Sequence, residues 1–188
     1  IKFAPINDDG DIIINEFEKL ITSKTKIIAI THLSNVTGTI VPVKEIIEIA
    51  HKKNIPVLVD GCQSAPHIKI DVKDLDCDFY AISCHKVYGP TGVGILYAKK
   101  KWLEILPPYL GGGGMINEVK KNSISYAQLP EKYEAGTMPT AEVVAFNESI
   151  KFMESVGIEN LISHENKITN YALEKLKSIN SVKIVGNP

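Results

Sequence analysis

Arginine is absent: all 21 basic side chains among the 188 residues are lysine. Any site that needs a bidentate guanidinium for a carboxylate cannot be completed by these residues. Cysteine is scarce. Cys62, Cys77 and Cys84 are odd in number and lack C-x-x-C spacing, which argues against a disulfide framework or a zinc site. A reducing, cytoplasmic compartment is the expectation from that usage. An excess of charge is missing as well, with 22 acidic residues against the 21 lysines and a net charge of −1. No strong field is available to draw in nucleic acid or an anionic membrane surface. No apolar run approaches the roughly 18 residues of a membrane-spanning helix. What is present is the composition of a soluble globular core, 44% apolar and 23% charged. The length suits one domain, or one domain and the start of another.

The chain opens at Ile1 without a methionine, in a strand-like run over Ile1–Ile6, and closes at Pro188 just after a second such run, Val182–Val185. A domain that starts and stops on strands is expected to be a segment of something longer. Between these ends the pattern alternates. Asp8–Asp11 is a turn signal before a short helix at about 14–22. Lys26–Thr31 is an apolar run of strand length. Pro42 opens a helix with Val43, Ile46, Ile47 and Ala50 at helical spacing, and Asn54-Ile-Pro stops it. Val57–Asp60, Asp78–Ser83 and Gly94–Ala98 are three further strands. Residues from about 105 to 139 have weak periodicity and many glycines and prolines, and read as functional loop. Helices are expected near 141–155 and 158–178. Strands apolar on both faces, separated by amphipathic helices, indicate a mostly parallel sheet covered on both sides.

Ligands of open α/β sheets bind outside the carboxyl ends of the strands. Polar residues collect at three such ends: Thr31-His32-Leu-Ser34-Asn35, Asp60-Gly-Cys-Gln63-Ser64 and Ser83-Cys-His85-Lys86. Lys86 at a sheet mouth is expected to be partly desolvated, which would free its amine as a nucleophile for a Schiff base. It also reads as a surface lysine opening a loop. Asp60 suits a pyridinium nitrogen, a metal, or the cap of the next turn. Ser83 and His85 offer donors for a phosphate, and Gln63 could reach a phenolic oxygen. Gly89-Pro-Thr-Gly-Val-Gly94 lacks the ending of a phosphate-cradling P-loop and precedes a strand, so it fails the dinucleotide fingerprint in context.

Five segments then occur in order: Thr31–Gly38, Val59–Gln63, Asp76–Tyr80, Ser83–Tyr97 and Tyr133–Thr137. Together they resemble the class V aminotransferase family, and within it the SUF-type cysteine desulfurases. The resemblance implies an α/β fold with a three-layer, mostly parallel sheet, similar to the large domain of pyridoxal-phosphate enzymes of fold type I and truncated at both ends. Residues 1–155 would be part of that cofactor-binding domain. Residues 156–188 would be a connecting helix and the start of a small C-terminal domain. Pyridoxal 5'-phosphate is the implied cofactor. Lys86 matches the Schiff-base lysine, Asp60 the acid at the pyridine nitrogen and Gln63 the group near the phenolic oxygen. Ser83 and His85 match phosphate ligands, and Asn35 an asparagine close to cofactor and substrate. Thr137 matches a threonine that reaches the phosphate in the neighbouring subunit of a homodimer.

The implied reaction moves sulfur from L-cysteine to an enzyme persulfide with release of alanine, for a sulfur-acceptor or scaffold protein in iron–sulfur cluster assembly. The family's substrate-carboxylate arginine and persulfide cysteine match nothing here, so the segment alone is expected to be inactive. Cys84 occupies a position where glycine is commoner in relatives, and all three cysteines read as small, mostly buried side chains. Two alternatives stand beside this reading. One is another enzyme of the family, of selenocysteine lyase, kynureninase or epimerase type. The other is a non-catalytic domain that binds a partner.

Overall fold

The computed structural model describes residues 1–188. Four strands form the main sheet in the order of the chain: β1 (Ile28–Thr31), β2 (Val57–Asp60), β3 (Phe79–Ser83) and β4 (Gly94–Ala98). The first three are parallel and β4 returns antiparallel to β3. Three parallel strands in one sheet need crossovers, and the helices supply them. Helix α1 (Ile14–Leu20) precedes β1, α2 (Val43–His51) links β1 to β2, and α3 (Val72–Leu75) lies between β2 and β3. Val43, Ile46, Ile47 and Ala50 of α2 are all buried, as their helical spacing requires. They pack on Ile28, Val57, Val59 and Tyr80, which the parallel register places on one face of the sheet, and Phe17 of α1 completes this core.

The opposite face is covered less completely. Trp102 of α4 (Lys100–Ile105) lies 6.2 Å from the Phe79 ring. Farther along that face Leu96 is 59% exposed. Two long helices follow, α5 (Thr140–Val156) and α6 (Ile158–Lys177), close to the expected bounds. Gly157 joins them at φ +83°, a left-handed conformation that glycine adopts without strain. No helix is long and apolar enough to cross a membrane.

Three expectations are corrected. Ile1–Ile6 is not a strand; only Ile6 forms an isolated bridge, to Ile12. Val182–Val185 is also irregular, and the chain end lies against the loop after β1, where the Asn187 N–H donates to Thr39 Oγ1 at 3.4 Å. Both runs are apolar, but neither finds a neighbouring strand to complete a ladder. The third correction lies in the supposed loop, which holds a hairpin, β5 (Ile116–Lys120) and β6 (Ser123–Tyr126). A register shift between Ile116 and Glu118 breaks the two-residue alternation that would have marked β5 as a strand.

One carboxylate fixes the amino end of the sheet. Asp78 is fully buried at the start of β3. Its Oδ2 accepts from the Val57 N–H at 2.9 Å and from His51 Nε2 at 2.8 Å, and its Oδ1 accepts from Trp102 Nε1 at 2.6 Å. Burial pushes this carboxyl up, but the bonds from Trp102, His51 and Val57 outweigh it and hold the pKa down to about 2. A depressed folded-state pKa stabilises above the unfolded value of 3.8 and ceases to do so as pH falls toward 2. Asp78→Asn should therefore cost about 2–4 kcal/mol at neutral pH. Urea unfolding from pH 7 to pH 2 should show the deficit shrinking through the acid range; a constant deficit would contradict the assignment.

Candidate functional site at the carboxyl ends of the strands

The register sets the carboxyl ends of β1, β2 and β3 side by side: Thr31 is opposite Asp60, and Asp60 is opposite Ala81. The backbone after β2 turns at once. The Cys62 N–H donates to Asp60 Oδ1 at 2.9 Å, a side-chain-closed turn of the kind aspartate favours. Asp60 Oδ2 has no partner in the chain and the residue is exposed. One oxygen thus caps the turn, as the simple structural reading predicts, while the other is left for a ligand.

After β3 the chain makes a 3-10 turn over Cys84–Lys86. The Val87 and Gly89 N–H groups both donate to the Cys84 carbonyl, at 2.9 and 3.0 Å, and Tyr88 takes the left-handed conformation at φ +57°. Helix α5 holds this loop. Phe146 packs on buried Cys84 and Val87, Ser149 Oγ donates to the Tyr88 carbonyl at 2.9 Å, and the Phe152 ring meets Tyr88 edge-on. Gly89 is needed here, because a Cβ would come within 2.6 Å of the Phe146 ring and 2.8 Å of the Cys84 carbonyl.

The β2 and β3 ends touch. Cys62 Sγ lies 3.3 Å from Ser83 Oγ, and Ala65 packs against the cluster under Lys86. Asp60 and Gln63 thus follow one strand end, and Ser83, His85 and Lys86 the neighbouring one. Gln63 is half-buried, His85 and Lys86 are exposed, and none of the three makes a side-chain hydrogen bond or ion pair within the chain. The desolvation expected of Lys86 is not supplied by these residues. Asn35 stands exposed in the loop after β1, where Ser34 Oγ accepts from the Val36 and Thr37 N–H groups. Thr137 is exposed on the segment entering α5 and is not brought into contact with the other six.

The donor set fits pyridoxal phosphate: an unpaired amine for its aldehyde, a free carboxylate oxygen for its pyridine nitrogen, and hydroxyl and imidazole donors for its phosphate. The cysteines divide. Burial pushes the Cys77 thiol up to about 11 and raises that of Cys84, so both stay protonated. Cys62 is less buried than the other two and stands next to Ser83.

Sequence reasoning passed over the support beneath. Tyr80, read as part of an apolar strand, sits fully buried with its hydroxyl 2.9 Å from His32 Nδ1 and 2.7 Å from Ser64 Oγ. Its ring fills the space under Gly61, where a Cβ would fall 1.9 Å from Cε1. The glycine directly after Asp60 was the one available signal. Two cavities, of about 350 and 480 Å³, lie elsewhere, one at the amino end beside Asp78 and one between α6 and the loop after β1.

Comparison with known proteins bears on the family and the fold. The model of the family "Aminotransferase class-V" matches residues 1–188. A probable cysteine desulfurase of Halalkalibacterium halodurans is 46% identical over 186 residues, covering 99% of this chain and 46% of that protein. The chain thus spans less than half the length of this curated relative. Among solved structures, the apo cysteine desulfurase of Thermococcus onnurineus superposes with a TM-score of 0.89 at 30% identity, over 98% of this chain and 48% of that one. The Escherichia coli cysteine desulfurase CsdA matches at 0.80 and 39% identity, over 84% of this chain and 39% of that one.

The close approach at Gly61 yields a direct test. Gly61→Ala should destabilise by about 1–3 kcal/mol through overpacking against Tyr80, measured by urea unfolding. A change below about 0.5 kcal/mol would show that the turn has room to spare.

Proposed function

From the chain's membership of the class V aminotransferase family, to which it belongs, we propose that it is the pyridoxal-phosphate-binding part of a cysteine desulfurase. The observation that carries the reading is the meeting of Asp60, Gln63, Ser83, His85 and Lys86 at neighbouring strand ends, with the Asp60 Oδ2, Gln63, His85 and Lys86 groups unpaired. Buried or paired, these groups would be structural; unpaired at adjacent strand ends, they are available to a ligand. The relatives named above are cysteine desulfurases, which favours L-cysteine over the substrates of a selenocysteine lyase, kynureninase or epimerase.

Lys86 Nζ would hold the cofactor through its aldehyde carbon. Asp60 Oδ2 would accept the pyridine N–H and keep that nitrogen protonated. Gln63 would donate to the phenolic oxygen, and Ser83 and His85 would take the phosphate. Bound pyridoxal phosphate supplies an electron sink for charge developing at the substrate Cα. Once the amino group of L-cysteine took its place, the freed Lys86 Nζ would be the general base for the Cα proton. A cysteine thiolate of the complete protein, outside these residues, then attacks the substrate sulfur. The C–S bond would break, a proton would be added at Cβ and the Cα proton would be returned from Lys86 Nζ, leaving an enzyme persulfide and alanine.

Residues 1–155 belong on this reading to the large domain, and 156–188 to a connecting helix and the start of a small domain. The absence of any buried residue in α6 is in keeping with that division. A cytoplasmic homodimer, with Asn35 near the substrate and Thr137 reaching the phosphate across the interface, completes the proposal. A sulfur acceptor serving iron–sulfur cluster assembly would take the persulfide.

Borohydride reduction of the complete protein with pyridoxal phosphate, followed by peptide mass analysis, should place a phosphopyridoxyl group on Lys86. Lys86→Ala should abolish the adduct and lower alanine release by at least about 100-fold. A folded protein with no adduct at Lys86 would overturn the reading.

A further inference from the structure

Three polar side chains are buried in the layer directly under the proposed cofactor floor: His32, Tyr80 and Ser64. The core cluster that Tyr80 joins is otherwise apolar. Hydroxyls and an imidazole in such a place cost stability unless every one is bonded, and a phenylalanine at position 80 would fill the same volume. Their retention calls for an account, and the bonding pattern provides one.

Proton counting fixes the direction of the bonds. Ser64 Oγ lies 3.2 Å from the Gly61 carbonyl, which can only accept, so the single hydroxyl proton of Ser64 goes there. The 2.7 Å contact between Tyr80 and Ser64 is then made by the tyrosine proton. The 2.9 Å contact between His32 and Tyr80 must in turn use a proton on His32 Nδ1. The chain runs one way, from His32 Nδ1–H to Tyr80 Oη–H to Ser64 Oγ–H to the Gly61 carbonyl. Burial holds His32 below its ordinary pKa and pushes Tyr80 up to about 12, so both keep these protonation states through the physiological range. Bonds aligned head to tail polarise one another. The chain ends on the Gly61–Cys62 peptide, whose N–H donates to Asp60 Oδ1, and the same Gly61 carbonyl also accepts from the Ala65 N–H at 2.9 Å.

We propose that Tyr80 is a positioning residue for the cofactor: through Ser64 its hydroxyl anchors the Gly61 carbonyl, and so aims the free Oδ2 of Asp60 at the pyridine nitrogen. Two independent contacts converge on the one glycine, the hydroxyl relay on its carbonyl and the tyrosine ring against its Cα. Tyr80 touches no cofactor itself; its effect passes through the turn. The proposal rests on the cofactor reading above.

The test is an absorbance titration of the complete protein with pyridoxal phosphate, in the wild type, Tyr80→Phe, Asp60→Asn and the double variant. Tyr80→Phe keeps the ring and removes the middle of the relay. It should raise the dissociation constant about fivefold, the worth of one net hydrogen bond. In the Asp60→Asn background the same change should matter by less than about twofold, because its target is already lost. Ser64→Ala, which cuts the relay at the turn and leaves Tyr80 in place, should repeat the pattern if Tyr80→Phe folds poorly. Equal effects in both backgrounds would overturn the proposal and leave Tyr80 a packing residue. A Lys86 adduct with affinity unchanged in Tyr80→Phe and Ser64→Ala would overturn it alone. Absence of any Lys86 adduct in the wild type would overturn both the proposal and the reading beneath it.

Discussion

The register between β2 and β3 is the constraint on which the rest depends. A parallel strand pair displaced by one residue turns every side chain to the other face. Here such a slip would move Asp60 away from the face it shares with Ser83 and drive Tyr80 out of the core. Asp78 guards against it at the amino end, because a single buried carboxylate accepts from the first residue of β2, from the last residue of α2 and from Trp102 beyond β4. Three elements are tied to one side chain, and the carboxyl ends of the strands inherit the alignment.

The two ends of the sheet are built on opposite principles. At the amino end charges are mutually paired: His51 lies between Asp76 and Asp78, and Lys99 and Lys101 face the same two carboxylates. At the carboxyl end Lys86, His85, Gln63 and one oxygen of Asp60 have no partner in the chain. Polar groups left unpaired on a rigid base are poised to bind, whereas self-satisfied ones hold the structure together. The base is rigid because each turn is gripped from below. Phe146 and Ser149 of α5 hold the Lys86 turn, and the Tyr80 relay holds the Asp60 turn.

Much of this was legible in the residues. Helix α2 announced itself through Val43, Ile46, Ile47 and Ala50, and β1 to β4 through short apolar runs closed by polar residues. The strand-end clusters at Asp60 and Lys86 pointed to one site before any geometry was known, and the family resemblance assigned their roles. The failures have physical causes. Ile1–Ile6 and Val182–Val185 have the composition of strands, but a strand exists only where another pairs with it. The β5–β6 hairpin was hidden by its bulge, and a solvent-exposed ribbon need not show apolar alternation. The residues left Lys86 open between a desolvated nucleophile and a surface lysine, since burial depends on what the fold places around a residue. Tyr80 was hidden for the converse reason: in a run of apolar residues its ring accounts for its presence, and only the structure shows where the hydroxyl goes.

The central claim is that the ends of β2 and β3 form a single cofactor floor, with Asp60 and Lys86 acting on the same molecule. A crystal structure of the complete protein grown with pyridoxal phosphate measures this most directly. The account predicts electron density continuous from Lys86 Nζ to the cofactor, with Asp60 Oδ2 within hydrogen-bonding distance of the ring nitrogen. Cofactor density attached to another residue, or a ring nitrogen facing anything but Asp60, would contradict it.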